Sequence, residues 1–278
     1  MMIFRFYSKM RNIKIFCGKA QAEIGNSCQG VILLELLIMF MILGLLVVGA
    51  VSTWDITIKK TRFNETTKEM DELVYAIVGN PALYSEGRRT SFGYVGDMGK
   101  LPDALGNLVV APAGATNWHG PYIKVKFTNN SDDYLQDAWG DNYIYNRDSL
   151  LIRSYGGGGI TTPSSWITRK IANDTIGLLR NNVSGQVLDL IGNPPASHNE
   201  SIRVYITYPL NGNMWTPLGF TPPPEGSFNI PDVPIGEHRI VCIYDTTATP
   251  DTTDFVEKSV CVYPGRTAVV EFRLTREF

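Results

Sequence analysis

One carboxylate, Glu35, interrupts the run from Gly30 to Val51, GVILLELLIMFMILGLLVVGAV, which is otherwise apolar, glycine or alanine. A charged side chain at mid-bilayer costs about 2.5–3.5 kcal/mol, so an acid in such a run marks a functional position and wants a partner. Asp137, Asp141 and Asp148 lie around one loop near Gly156–Gly159. Carboxylates, carbonyls and water are the oxygen ligands that calcium takes, although aspartates in turns also cap their own backbone. Cys242 and Cys261 flank the stretch Thr246–Asp254, in a register that lets them face each other across a hairpin. The two readings there are a disulfide and a pair of small buried apolar residues in adjacent strands.

Other reactive types carry less. His119, His198 and His238 are scattered, with no metal-ligand spacing and no serine or cysteine nucleophile in context. They read as surface or turn residues. The four glycines Gly156–Gly159 lack a strand–helix context and a following Lys-Ser/Thr, so they read as a flexible turn and not a phosphate cradle. Trp118, Trp166, Trp215, Tyr205 and Tyr208 read as core and edge aromatics, with a platform for sugar or a partner protein as the alternative. No catalytic constellation stands out, and the expectation is a protein that is not an enzyme.

The elements that position these residues begin with a helix. About 20 apolar residues suffice to cross a bilayer. Beyond Val51, Ile56, Phe63, Met70 and Ile77 recur at a spacing of seven, with Leu73 and Val74 on the same side. Asn80-Pro81 ends the pattern. The expectation is one helix from about Val31 to Val78, its first half in lipid and its second half packed on a globular head. Two helices joined near Ser52-Thr53 are the alternative. Next, Ser91–Leu105 reads as a looped segment with a short helical end. Gly120–Phe127, Asp137–Asn146 and Asp148–Gly159 read as short antiparallel strands between turn signals. From Val183 onward, alternating apolar positions broken by Pro/Gly turns suggest a β-sandwich.

At 278 residues there is room for roughly two domains, and 44% hydrophobic against 19% charged residues permits a real core. The net charge of −2 conceals an asymmetry. Residues 1–30 hold Arg5, Lys9, Arg11, Lys14 and Lys19 against Glu23 alone, and without them 20 basic residues face 26 acidic ones. A basic leader before an apolar span places the N-terminus in the cytoplasm and the acidic body outside it. No basic stripe suggests nucleic acid. A secretory signal peptide, cut near Val48-Gly49-Ala50, is the competing reading, but the apolar run exceeds the usual ~7–15 residues. Met10 is an alternative start. Cys17 and Cys28 fall on the reducing side, whereas Cys242 and Cys261 fall where disulfides persist.

Gly30, with Glu35 as the fifth residue after it and a basic segment before it, resembles the N-terminus of type IV prepilins and type II secretion pseudopilins. The resemblance implies cleavage after Gly30 by a prepilin peptidase and methylation of the new N-terminus at Val31. It also implies that Glu35 pairs with the terminal amine of a neighbouring subunit during assembly. Val31 and Ile32 depart from the family's usual Phe or Met followed by Thr or Ser, which bears on methylation more than on cleavage. The order of a GPY strand, then Asp137-x-Trp139-Gly140-x-x-Tyr143, then a strand into a glycine-rich turn resembles the head of the major pseudopilin. Major pseudopilins bind calcium in this region, and Asp137 occupies the motif's aspartate position. Gly185, Val187, Asp189, Gly192, Pro194, Gly226, Phe228, Ile230, Val233, Pro234, Gly236 and Ile240 resemble the pattern of the transthyretin-like carboxypeptidase-regulatory domain, which is usually non-catalytic.

The fold class expected is therefore α+β: a long helix on a small antiparallel pilin-like head, then an all-β transthyretin-like sandwich. The divisions are a leader at 1–30, the helix at 31–80 with 31–51 transmembrane, the head at 81–182 and the sandwich at 183–278. The implied function is a structural subunit of a type IV pilus or type II secretion pseudopilus. An appended domain would crowd a dense filament, which favours a minor or specialised subunit. Its partners would be other pilin subunits, the prepilin peptidase and an inner-membrane assembly platform, with calcium as the one candidate cofactor. The location implied is the bacterial inner membrane, single-pass, with the head in the periplasm or on a surface filament. The alternative is a membrane-anchored adhesin whose sandwich recognises carbohydrate or protein.

Overall fold

Leucine, isoleucine, methionine and valine without an internal proline favour a helix, and in hydrocarbon only a helix or a closed barrel satisfies the backbone. In a computed structural model, which describes residues 28–123, 132–245 and 254–278, this stretch opens α1 (Cys28–Val78), 51 residues long. Residues 1–27 of the expected leader, Cys17 among them, lie outside the described residues, and its last three, 28–30, already belong to α1. Every described side chain from Leu33 to Glu65 is exposed. Leu33–Val51 rises about 28 Å at 1.5 Å per residue, close to the ~30 Å of a bilayer's hydrocarbon. Among the described residues α1 is the one helix long and apolar enough to cross a membrane. It continues through Ser52-Thr53, where Thr53 and Thr57 hydroxyls donate back to the carbonyls of Gly49 and Thr53 at 2.9 and 2.8 Å.

The chain divides into two compact units between Ile58 and Lys59. Within the second, Thr66, Met70, Leu73, Ala76 and Ile77 are buried at helical spacing. The sevenfold stripe is thus split: Met70 and Ile77 are fully buried, but Ile56 is 67% and Phe63 49% exposed. Gly79 ends α1 at φ +79°, where any Cβ would collide with the Ser91 backbone, so only glycine closes this turn.

The body then adds the short hairpin β1 (Tyr84–Ser85) and β2 (Arg88–Arg89), and α2 (Gly93–Met98). An antiparallel meander follows, of β3 (Ile144–Asn146), β4 (Leu151–Ser154) and β5 (Ile167–Lys170), and then α3 (Ile176–Leu179). Met70, Leu73 and Ile77 of α1 share one core with Tyr94, Met98 and Ile152. Tyr143 donates to Glu69 Oε2 at 3.0 Å, and Arg169 Nε lies 2.9 Å from Asp71 Oδ1, tying the helix to the meander. Residues 120–123 form no strand, and 124–127 of that expected strand lie outside the described residues. The start of Asp137–Asn146 is a turn, with strand only from Ile144. In Ser91–Leu105 the α-helix comes first, at α2, and the segment ends where a 3-10 turn, Leu105–Leu108, begins.

The last hundred residues form β6 (Asn181–Leu188), β7 (Ile202–Leu210), β8 (Asn213–Trp215), β9 (Ser227–Val233), β10 (Gly236–Tyr244), β11 (Asp254–Val262) and β12 (Ala268–Arg273). One sheet has the order β11-β10-β7-β8, the other β12-β6-β9. Alternate residues from both sheets, among them Val187, Val204, Ile240, Val262 and Phe272, form a second core. One pairing is parallel: β12 lies beside β6, with Ala268 opposite Val183 and Phe272 opposite Val187. Gly185 is required there, since a Cβ would run into the Val270 carbonyl and the Phe228 ring. Pro231 falls on β9, a sheet edge, where a missing N–H leaves no ladder partner unsatisfied. The two cores adjoin. Ile235 belongs to the first core and donates its N–H to Leu178 O at 2.9 Å, and Gly212 N–H donates to Met98 O at 2.7 Å.

Candidate functional site

Gly30, Val31 and Glu35 fall in the first turns of α1, and Glu35 is exposed along with the apolar side chains from Leu33 to Phe40. A carboxylate on an apolar helix surface is costly in lipid unless it finds a partner.

The three aspartates are not brought together. Asp137 is buried, and its Oδ1 accepts from the Trp139 and Asp141 amides at 2.9 and 3.0 Å. Its Oδ2 accepts from Ser154 Oγ, which in turn receives the Gly156 amide at 2.9 Å. Thr66 of α1 accepts the neighbouring Ala138 amide at 3.1 Å. Asp137 therefore joins the turn before β3 to the end of β4, in contact with Asp141 only through its backbone. Asp141 and Asp148 are exposed. Among the described residues no three His, Cys, Asp or Glu are grouped to hold a metal ion.

The cysteine register differs from expectation. In the hairpin of β10 and β11, Cys242 stands opposite Val256 and Cys261 opposite Glu237. Val256 and Cys261 are five residues apart, an odd number, so the two thiols point to opposite faces of the sheet. Both are free: Cys242 sits in the sandwich core and Cys261 packs against the other core. Burial pushes the Cys242 thiol up to about 12.

His119 and His198 are exposed, the first 3.6 Å from Asp97 Oδ2 and the second stacked on Phe278. His238 is a correction. It is buried on β10, its Nε2 is 2.7 Å from Pro234 O, and its Nδ1 has no hydrogen-bond partner. Burial lowers its pKa, against the raising effects of the Pro234 carbonyl and Glu237. Neutral imidazole therefore donates from Nε2. The aromatics do not form one platform. Trp118 donates to Asn107 O at 3.0 Å, and Trp166 lies 4.5 Å under Arg153, both in the first half of the body. Only Trp215 and Tyr208 meet, edge to face at 5.5 Å.

Sequence reasoning missed two buried charged groups. Arg89 is 6% exposed and closes the C-terminus of α1. Its Nη2 donates to Val78 O and Gly79 O at 2.7 and 2.8 Å, and its Nε to Ser91 O at 2.8 Å. A cation at a helix C-terminus is stabilised by the dipole and satisfies orphan carbonyls. Burial nevertheless lowers its pKa, against the raising effects of Tyr84 and Tyr263, and no carboxylate among the described residues adds to these. An arginine 11 residues past the helix end carries no local signal of this role. Asp189 is the second. Burial pushes its carboxyl up, but hydrogen bonds from Asn193, Gly192 and Phe278 outweigh this and hold it below the ordinary range. The sequence singled out Asp189 only as one position of the transthyretin-like pattern. No protein-family model matches the chain, and no curated protein matches it in a sequence comparison.

Proposed function

We propose that this chain is a pilin-like structural subunit, cut after Gly30 and assembled through its apolar helix into a type IV pilus or type II secretion pseudopilus. The observation that supports this reading is the division of α1. Its apolar first part carries one acid, Glu35, and presents exposed side chains from Leu33 to Glu65, whereas its last turns are built into a β-rich body. A helix of this kind anchors the precursor in a bilayer and later exchanges lipid for neighbouring helices. Glu35 then fixes register by pairing with the Val31 amine of an adjacent subunit, an attraction made strong by the exclusion of water. The two-sheet sandwich is carried outward as an appended domain, which suits a minor or specialised subunit.

The test is Glu35→Ala in the native host. The variant should reach the membrane at wild-type level and be lost from sheared filaments or from the assembled pseudopilus. Wild-type incorporation by Glu35→Ala would remove the assembly role.

A second reading draws on the surface of the sandwich. Leu218, just past β8, is 98% exposed, and Leu210 and Trp215 are exposed on one face of the β7–β8 pair with Met214 exposed on the other. Apolar side chains left exposed along this stretch suit a membrane-anchored binding module. It predicts that Leu218→Asp abolishes adhesion to a target surface while Glu35→Ala has no effect.

A further inference from the structure

Where the end of α1 meets β5, α3 and the turn between β11 and β12, the body encloses an open cavity of about 430 Å³. Its walls are mainly apolar, with Val74, Val78, Ile171, Leu178 and Pro264 among the lining residues. Arg89 lines it and Lys170 stands exposed at its edge. Among the described residues the one acid in the lining is Asp174, whose Oδ1 already accepts the Gly177 amide. Arg89 spends Nε and Nη2 on three carbonyls, but Nη1 has no hydrogen bond and is not sealed from solvent. Arg89 is more than nine-tenths buried, keeps a free N–H edge and has no carboxylate partner among the described residues.

We propose that this cavity is a binding site for a small carboxylate with an apolar body, its carboxylate on Arg89 Nη1 and its body against Val74, Ile171 and Leu178. The apolar walls disfavour a hydrated inorganic anion, which would give up water for no partner on those sides. The cationic group disfavours a purely apolar guest. Volume agrees, since small-molecule sites begin at about 300 Å³. Lys170 at the rim adds attraction for an approaching anion.

The probe is 3-phenylpropionate, with 3-phenylpropionamide and inorganic phosphate as controls. Each is titrated at pH 7 into the full chain held in nanodiscs of a neutral phospholipid, and isoleucine and leucine methyl NMR signals are read. The acid should shift Ile171 and Leu178 and bind at least about tenfold tighter than the amide, as a charge-assisted hydrogen bond predicts. Phosphate should leave the signals in place. Ala172→Phe, which fills the cavity and leaves the Arg89 hydrogen bonds intact, should abolish the acid's effect. Equal binding of acid and amide would overturn the proposal, as would no shift at 10 mM (roughly the weak limit for so small a ligand), shifts caused by phosphate, or undiminished binding to Ala172→Phe.

Discussion

Arg89→Met removes a buried cation from the end of α1 and keeps an apolar stem. Three hydrogen bonds disappear, to Val78 O, Gly79 O and Ser91 O, all at 2.7–2.8 Å. A bond to a charged group contributes about 1.5–3 kcal/mol net. The three are not additive, and relief of the burial that lowers the Arg89 pKa offsets part of the loss. Loss of a favourable charge at the helix end adds about 0.3–1 kcal/mol. The net expectation is a destabilisation of about 3 kcal/mol, or roughly 6–12 °C in Tm for a body of this size. Thermal unfolding followed by tryptophan fluorescence measures it, because Trp118, Trp139 and Trp166 all lie in the body. The control is Arg88→Met, which removes an exposed arginine 3.8 Å from Glu237 and should cost under about 0.5 kcal/mol. If the two variants unfold within 1 °C of each other (about 0.3 kcal/mol), Arg89 does not cap the helix and the reasoning fails.

Three further outcomes follow from the same geometry. Met70→Ala should cost about 2–5 kcal/mol, whereas Phe63→Ala, on the exposed continuation of the stripe, should leave the body's Tm within about 1 °C. Asp137→Ala should cost about 2–4 kcal/mol through two stranded amides and a stranded hydroxyl. That loss should be the same in calcium and in chelator, and a calcium-dependent rise in wild-type Tm that the variant lacks would assign Asp137 to a metal instead. His238 titrates lower folded than unfolded, so its contribution is complete above the unfolded value near 6.5 and is lost as pH falls below it. The wild-type Tm should therefore drop between pH 7.5 and 5.5 by more than that of His238→Phe, and parallel curves would refute the burial argument.

The sequence was informative where structure is set locally. α1 follows from its apolar run and the Asn80-Pro81 stop, and β6, β7, β9, β10 and β12 follow from alternation between Gly and Pro turns. Asp137 could be singled out, but whether its carboxylate faces a metal or Ser154 depends on a contact 17 residues away. Cys242 and Cys261 show the same limit. Strand register depends on where the hairpin turns, and an odd offset sends one thiol into each core. The parallel pairing of β12 with β6 joins residues more than 80 apart, and no local pattern encodes it. Arg89 and His238 were misjudged or overlooked because charged and titratable residues are usually exposed, and only the packed structure reveals which carbonyl each one serves.

The most direct test of the subunit assignment is the intact mass and N-terminal sequence of the protein from host membranes, with and without the prepilin peptidase. The account predicts a chain beginning at Val31 only when the peptidase is present, with an added methyl mass if the new N-terminus is modified. A chain that keeps residues 1–30 in both samples would contradict it and leave α1 as an uncut anchor.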